Sequence, residues 1–519
     1  MVNETTSGDS QLKIGDSQIK SLAKETVIYG IGSVFPRLLT WFLGLYWTFA
    51  FARVDGIDAP ANIGVLGTLF AYVALLNVIL TYGMETGFFR FANKSDNPTR
   101  VFSTSFISVA TTTLTFFVLM MFLLNPIAGL LGDSSSEIRP IYLVLLTLII
   151  SFDVLSALPL ASLRYKKRAM RFTAVRMANV LLTIILNLFF FLLCPLLKAR
   201  FPDAFSWFDM QNGVEYILIS NLTASFIHFL LVSPELRIKL SFDKHLLMNI
   251  LRYSFPILFL GIAGILNQTA DRMIFPFIYP DSERAFSELG IYVGSYKIAT
   301  IMLMFAAGFR LAFDPFIFAR NKGTKDERQS FADATKYFIL LGLFIFLFIT
   351  GYIDLLKHLI HTDFHIGLKI IPIVLLGELF FGIYFNLSLW YKLTDKTRWG
   401  AYMSFFGLAI NVTIIVLFVP RFSYIAMAWA GFIANFTMMT ISYFLGQKKY
   451  PIPYNLKTAG FFFLLAVVSF AGFRLTSLHI DSVALRLVIN SLFIALYLVV
   501  VVKKELPLRE LPFVGRFFG

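Results

Sequence analysis

The sequence predicts an all-α integral membrane protein with about 14 transmembrane helices, and three observations carry that fold class. Of 519 residues, 57% are hydrophobic and only 15% charged, with a mean hydropathy of +0.74. A soluble chain of this size exposes too much surface to stay in water with so few charges. The apolar residues, 59 Phe and 21 Tyr among them, fall in long unbroken runs of the ~20 residues that cross a hydrocarbon core. These runs lack period-two alternation and are about twice as long as a barrel strand, which selects helices over strands. At roughly 30 to 37 residues per span and connection, the chain has room for about 14 to 17 spans and little else.

Apolar runs bounded by charge or Pro/Gly clusters place the first six spans near 27–49, 63–89, 101–124, 140–163, 172–197 and 214–233. Six more lie near 253–278, 288–311, 337–356, 366–390, 399–419 and 423–446, followed by two near 457–474 and 482–502. The count of fourteen is even, so both termini share one side. Of the 45 Lys and Arg, 30 fall in the termini and connections on that side, 8 on the opposite side and 7 within spans. The positive-inside rule makes the richer side cytoplasmic. Most of the +14 net charge is this bias, which excludes a basic nucleic-acid-binding surface. The first 24 residues are polar and mixed in charge, without the pattern of a cleaved signal peptide, so the first span is expected to act as the targeting signal. Cys194 is the single cysteine, which excludes a disulfide or a cysteine metal cluster.

The connections exclude several enzyme classes. The longest outward one, Lys198 to Gly213, has no room for the extramembrane catalytic domain of a polysaccharide polymerase or ligase. No Walker sequence, HExxH or nucleophile elbow is present, which removes ATP-driven pumps and common hydrolases. His358, His361 and His365 have spacings that would share a helical face; beside Lys357 and Asp363 they read first as interfacial residues rather than metal ligands.

Rare charged residues recur. Span two ends in Tyr82-Gly83-Met84-Glu85, with Arg90 and Asn93-Lys94 beyond; span eight ends in Leu311-Ala312-Phe313-Asp314, with Arg320 and Asn321-Lys322 beyond. Span four carries Asp153 ahead of Tyr165-Lys166, and span ten carries Glu378 ahead of Tyr391-Lys392. The offsets are 229 for Glu85 to Asp314 and 225 for Asp153 to Glu378. A near-constant offset six spans apart predicts two pseudo-symmetric six-helix lobes around a central cavity, with two extra C-terminal helices. The expected organisation is a polar cytoplasmic segment (1–24), an N-terminal lobe (25–235), a C-terminal lobe (245–450), two additional helices (455–502) and a cytoplasmic tail (503–519).

A charge near the bilayer centre costs ~2.5 to 3.5 kcal/mol on insertion scales, so each needs a cavity or a partner. The cations are Arg37, Arg176, Arg272, Lys297 and Arg310; the acids are Glu85, Asp153, Asp271, Asp314 and Glu378. Two readings stay open for each. Arg310 and Asp314 lie close enough to a boundary to snorkel or cap, Asp271 can neutralise its neighbour Arg272, and Arg37 or Lys297 can pair with a carboxylate such as Asp153. Alternatively the cations bind an anionic substrate, guanidinium groups matching phosphate oxygens, while Asp153 and Glu378 bind H+ or Na+ or balance charge.

Leu22-Ala23-Lys24-Glu25-Thr26 leading to Tyr29-Gly30, Tyr82-Gly83-Met84-Glu85-Thr86 with Phe89-Arg90-Phe91, and Leu266-Asn267 with Asp271-Arg272 resemble the polysaccharide-transporter branch of the multidrug/oligosaccharidyl-lipid/polysaccharide flippases. So do Gly290-Ile291-Tyr292 with Tyr296-Lys297, and Phe309-Arg310 with Asp314-Pro315-Phe316. The likeness runs from about residue 22 to 450. It implies alternating access and movement of an undecaprenyl-diphosphate-linked oligosaccharide, such as an O-antigen, capsule or exopolysaccharide unit, from the cytoplasmic to the periplasmic leaflet of the inner membrane. The chemistry is translocation rather than bond making, without a cofactor. Polysaccharide polymerase and glycosyltransferases are the implied partners, alongside the bilayer and the lipid-linked glycan.

On that implication the diphosphate meets Arg37, Arg176, Arg272, Lys297 or Arg310, and Tyr29, Trp41, Tyr292 and Tyr296 stack on sugars. The alternatives are a lipid II flippase, a multidrug/cation antiporter, from whose acidic and aromatic pattern Arg37 departs, and a membrane-embedded glycosyltransferase or polymerase. The expected outcome for Arg37→Ala and Lys297→Ala is loss of glycan export from cells with the protein still inserted. Full surface polysaccharide in both variants overturns the cationic site.

Overall fold

The computed structural model describes residues 35–53, 56–132, 138–319, 325–394, 396 and 398–505, with the side chains of 131–132, 311–319, 325–327 and 392 outside that description. Among the described residues there is no strand. Thirteen helical segments are long and apolar enough to cross a bilayer, and each falls on an expected span. Helix α1 (35–52) stands where the first of the fourteen is expected. Tyr29, the motif at 22–30, the targeting role of the first span's start and the cytoplasmic tail beyond 505 lie outside the described residues. The chain is a multi-pass membrane protein, and its surface agrees: Phe122 is 80% exposed and Leu478 77%, which suits a solvent of acyl chains.

Contacts divide the chain into two compact units, Met1–Ile57 with Thr68–Ile265 and Asp58–Gly67 with Leu266–Gly519. In the first, span two is α2 (Ala59–Thr81) and α3 (Met84–Ala92), span three α4 (Pro98–Gly132) and span four α5 (Pro140–Tyr165). Span five is α6 (Ala169–Leu188) continuing into α7 (Cys194–Arg200), and span six is α8 (Gly213–Val232). Span seven, α9 (Lys244–Ile278), contributes to both units.

The second unit continues with α10 (Ser282–Ala319), α11 (Lys325–Gly351), the short α12 (Ile353–Leu356), α13 (Ile371–Leu387), the short α14 (Leu389–Leu393), α15 (Arg398–Phe422) and α16 (Tyr424–Lys449). The additional helices are α17 (Leu456–His479) and α18 (Val483–Glu505). In the first unit α5 packs on α4 and α8, and α6 packs on α8; in the second α13 packs on α11 and α16, and α15 on α16. These neighbour sets are the same six spans apart, so each unit is built on one internal plan. α17 and α18 pack on each other and on α11.

The helix breaks have local causes. Span two is interrupted at Tyr82-Gly83, both at positive φ (31° and 71°), where glycine supplies the left-handed conformation at no Cβ cost. In span five, Phe189–Leu193 forms a π-turn ahead of Pro195. Proline lacks an N–H and crowds the carbonyl four residues back, and the wider turn relieves both effects. Before α13 the chain runs as a 3-10 segment, Thr362–Ile370.

His358 and His365 lie in two 3-10 segments, Lys357–Leu359 and Thr362–Ile370, with His361 between them, so the three do not share the expected α-helical face, although the rings of His358 and His365 are 6.4 Å apart. His361 instead faces Asp363 at 3.2 Å, and His365 Nε2 meets the Lys357 carbonyl at 2.9 Å.

Polar side chains join helices across the apolar interior. Trp47 donates to Asn187 Oδ1 at 2.8 Å, Asn490 to the Gly351 carbonyl at 2.8 Å and Tyr497 to the Leu340 carbonyl at 2.9 Å. Such bonds matter because lipid offers no alternative partner. At one end of the first unit Glu235, 3% exposed, gathers Lys166 at 2.6 Å, Arg171 at 3.0 Å and Arg168 at 3.4 Å. At the start of α9 the Asp243 carboxylate accepts the Leu246 N–H and pairs with Arg100 at 2.9 Å. The backbone donor first, and then Arg100, hold its carboxyl below the usual carboxylate range.

Close helix approach in the second unit needs glycine: a Cβ on Gly290 would overlap the carbonyl of Pro60, and one on Gly64 the carbonyl of Phe286. This is small-residue packing of the kind that membrane helices use in place of a hydrophobic driving force. Gly290→Val is expected to lower stability by about 1–3 kcal/mol, read as a lower thermal midpoint of the purified protein. Gly460→Ala, where an added Cβ meets open space, is expected to leave the midpoint unchanged or raise it.

Candidate functional site

Each unit holds a polar cavity. That of the second unit, about 180 Å³, is lined from α9 by Asn267, Asp271 and Arg272, from α10 by Tyr292 and Tyr296, and from α13 by Glu378. Tyr292 and Tyr296 are four residues apart on one helical face, with ring centroids 5.6 Å apart. Tyr292 donates to Asp271 Oδ2 at 2.9 Å and Tyr296 to Glu378 Oε1 at 2.5 Å. Asp271 Oδ1 accepts the Arg272 backbone N–H at 2.8 Å, and the Arg272 guanidinium lies 5.3 Å from the Tyr296 ring centroid, a cation–π contact.

Both carboxylates act electrostatically on Arg272, and the charge of Arg272 in turn reaches half-buried Lys297. Two acids and two bases make this group balanced in charge. Amides bind it to its helices: Asn267 donates to the Ser404 carbonyl at 2.7 Å, Asn435 to Gly377 at 3.2 Å and Asn411 to Asn267 at 3.4 Å.

The first unit's cavity is larger, about 590 Å³, and its lining includes Asn77, Glu85, Asp153, Arg164, Arg176 and His228. Glu85 is ion-paired with Arg164, whose guanidinium also lies over Phe89 and Phe172. Asp153 lines the same cavity, and the polar side chains of Ser225 and Asn77 act on it. Arg176 lies against the Phe172 ring, at 5.4 Å, and the like charge of Arg37 acts on it. Neither Arg37 nor Arg176 makes an ion pair among the described residues. Pro36, beside Arg37, lines the cavity, and the Arg37 side chain is exposed. Of these two cavities, the one in the first unit therefore carries the excess of positive charge.

The structure thus brings together Asp271, Arg272, Tyr292, Tyr296 and Glu378, with Lys297 adjoining, and separately Glu85, Asp153 and Arg176, with Arg37 in electrostatic reach. Arg310 does not join Arg272: from Tyr296 α10 advances roughly 20 Å at 1.5 Å per residue, and Arg310 is exposed with its guanidinium 4.3 Å from the Phe385 ring. The backbone of Asp314 is helical, and its side chain lies outside the described residues. Trp41 is half-buried and packs edge-on against Phe42. The sequence reading missed Arg164, His228 and the amides Asn77, Asn411 and Asn435. A lone amide inside a long apolar run is the signal that finds the last three.

A family model described as polysaccharide biosynthesis protein matches residues 37–322, more than half of the chain. The chain belongs to the polysaccharide biosynthesis protein family. Within the multidrug/oligosaccharidyl-lipid/polysaccharide flippase superfamily, the MatE model matches residues 286–417 as well. No curated protein sequence matches the chain.

Among solved structures, this family member is similar in fold to the lipid II flippase MurJ in an inward closed conformation, with a TM-score of 0.66, 16% identity, and 92% of this chain and 99% of that one covered. It is similar to a mutant of the Vibrio cholerae MATE transporter VcmN, with a TM-score of 0.55, 13% identity and coverage of 83% and 97%. It also resembles the MATE multidrug transporter DinF-BH, with a TM-score of 0.56, 15% identity and coverage of 83% and 96%.

Tyr296→Phe leaves the Glu378 carboxylate without its hydroxyl donor, and a buried acceptor so exposed costs about 1–3 kcal/mol. The expected result is a lower thermal midpoint, part of which the double variant Tyr296→Phe with Glu378→Leu recovers. Additive losses in the double variant would show that the pair is not coupled.

Proposed function

We propose that this chain is a flippase that moves an undecaprenyl-diphosphate-linked oligosaccharide from the cytoplasmic to the periplasmic leaflet of the bacterial inner membrane by alternating access, with both termini in the cytoplasm. The observation that carries this reading is the pair Arg37 and Arg176. Arg176 lines the first unit's cavity and Arg37 follows its lining residue Pro36; neither makes an ion pair among the described residues, and Glu85 is taken by Arg164. Two cations at one cavity without a carboxylate of their own are satisfied by an anion, and guanidinium matches the oxygens of a diphosphate bidentately. Family membership supports a glycan as the remainder of the cargo. The tyrosines and amides of the second unit supply ring faces and hydrogen bonds suited to sugars, and the polyprenyl tail stays in the bilayer.

Concentration differences between leaflets, or a coupled gradient, supply the free energy. Asp153 and Glu378, matched by the internal repeat and each set in its own unit's cavity, are the proposed carriers of a coupling H+ or Na+. Polymerase and glycosyltransferases are the proposed partners at either end of transport. A second reading takes lipid II as the cargo, and the fold likeness to MurJ over nearly the full length of both chains favours it.

Both readings are tested in proteoliposomes containing fluorescent lipid-linked diphosphates with a capsule-type oligosaccharide or a lipid II headgroup, with outer-leaflet probe read by a membrane-impermeant quencher. The oligosaccharide lipid is expected to move faster. Arg176→Ala and Arg37→Ala are expected to slow it at least about tenfold, since a hydrogen bond to a charged group is worth ~1.5–3 kcal/mol. Movement of lipid II alone would select the second reading, and movement indifferent to headgroup or to both substitutions would overturn the cationic site. Rates unaffected by imposed proton and sodium gradients would remove the coupling role of Asp153 and Glu378.

A further inference from the structure

We propose that the second unit carries a separate binding site for the phosphate headgroup and adjoining acyl chain of an anionic phospholipid, built where the two additional helices pack on the lobe. The site is a cavity of about 690 Å³ walled by α11, the 3-10 turns that follow it, α13, α16, α17 and α18. Five of the seven basic residues within spans enter the sequence-level account of the cargo. The remaining two, Lys369 and Arg486, both line this cavity, together with Lys357 and Arg474.

Four basic side chains here face one carboxylate, Asp354. Asp354 pairs with Arg486 at 3.0 Å and with Lys357 at 3.4 Å. Lys369, with its Nζ 5.1 Å from the Tyr424 ring centroid, and Arg474 make no ion pair among the described residues. Arg486 is only 16% exposed, and its Nε is buried with no hydrogen-bond partner. Snorkelling carries single cations outward to water. It does not account for four that share the wall of one cavity with a buried donor left over.

Thr350, His365, Ser477 and Asn490 add polar groups, and much of the remaining wall is apolar, including Phe346, Trp429, Phe432, Phe470 and Phe473. Phe470 precedes Arg474 by one turn on α17, and Phe346 precedes Thr350 by one turn on α11. Polarity therefore changes along the helix axes, with cations at the helix ends and rings further into the span. That is the gradient along a phospholipid, phosphate at the interface and chain below it. A free phosphate uses only the cationic end, and a zwitterionic lipid brings its own ammonium to a wall already in excess of positive charge.

Among the described residues the first unit has no equivalents of α17 and α18, so this cavity has no counterpart there. Phe432 lines both it and the Arg272–Glu378 cavity, so an occupant of one bears on the wall of the other. The inference does not depend on which cargo the chain carries.

The test uses the full chain in detergent, with lipid retention followed by native mass spectrometry and stability by thermal midpoint, in the presence of phosphatidylglycerol, phosphatidylcholine or inorganic phosphate. Phosphatidylglycerol is expected to be retained and to raise the midpoint, with little effect from the other two. Arg474→Gln and Lys369→Gln remove cations that hold no carboxylate, and each is expected to weaken phosphatidylglycerol retention about tenfold with the lipid-free midpoint unchanged. Equal stabilisation by inorganic phosphate would reduce the site to a small-anion site, and equal retention of both lipids would show that no headgroup is recognised. Unchanged retention in the double variant would also overturn the proposal. A failed glycan translocation assay would alter none of these readings.

Discussion

Hydrocarbon gives a charge no hydration and a backbone amide no partner, and the arrangement of this chain follows from that shortage. A lone ion at the bilayer centre costs ~2.5 to 3.5 kcal/mol on insertion scales, so acids and bases are drawn together wherever the helices allow it. Glu85 holds Arg164, Glu235 holds three cations at once, and Asp354 holds Arg486 and Lys357. The same shortage explains why amide side chains reach neighbouring carbonyls and why glycine stands where α10 meets the start of α2. Against this background, cations that find no acid stand out as the groups a ligand would satisfy.

The two units share a helical plan, and the two polar cavities of the candidate site differ in charge. In the second, Asp271, Glu378, Arg272 and Lys297 offset one another, and two tyrosine hydroxyls hold the carboxylates. In the first, Glu85 is taken by Arg164, while Arg37 and Arg176 make no ion pair among the described residues. One helical plan thus carries two different linings: excess positive charge in the first unit's cavity, and a charge-balanced network of rings and amides in the Arg272–Glu378 cavity.

The spans were legible in the sequence because hydropathy over ~20 residues reports the solvent directly. The repeat was legible because a charge in lipid is rare enough for two coincidences to matter, and Asp153 and Glu378 do occupy cavities of their respective units. What pattern could not supply was distance. Asp271 and Glu378 are more than a hundred residues apart in sequence, and only the packing of α9, α10 and α13 brings them to one pair of tyrosines. Arg310 was grouped with Arg272 by residue type, whereas the length of α10 separates them. The three-histidine face failed for a different reason: spacing presumes an α-helix, and the chain there turns in 3-10 form. Arg164 was read as a topology signal, although its guanidinium reaches back over Phe89 and Phe172 into a cavity.

Cys194, the only cysteine, is fully buried at the end of the π-turn of span five, 0% exposed. A native thiol sealed in this way does not compete for polar maleimide or methanethiosulfonate reagents. The wild-type sequence is therefore already suitable for single-cysteine labelling. Pairs of spin labels or fluorophores can be introduced on each unit without first removing a native residue, and distances between them would follow the working cycle in an otherwise unaltered protein.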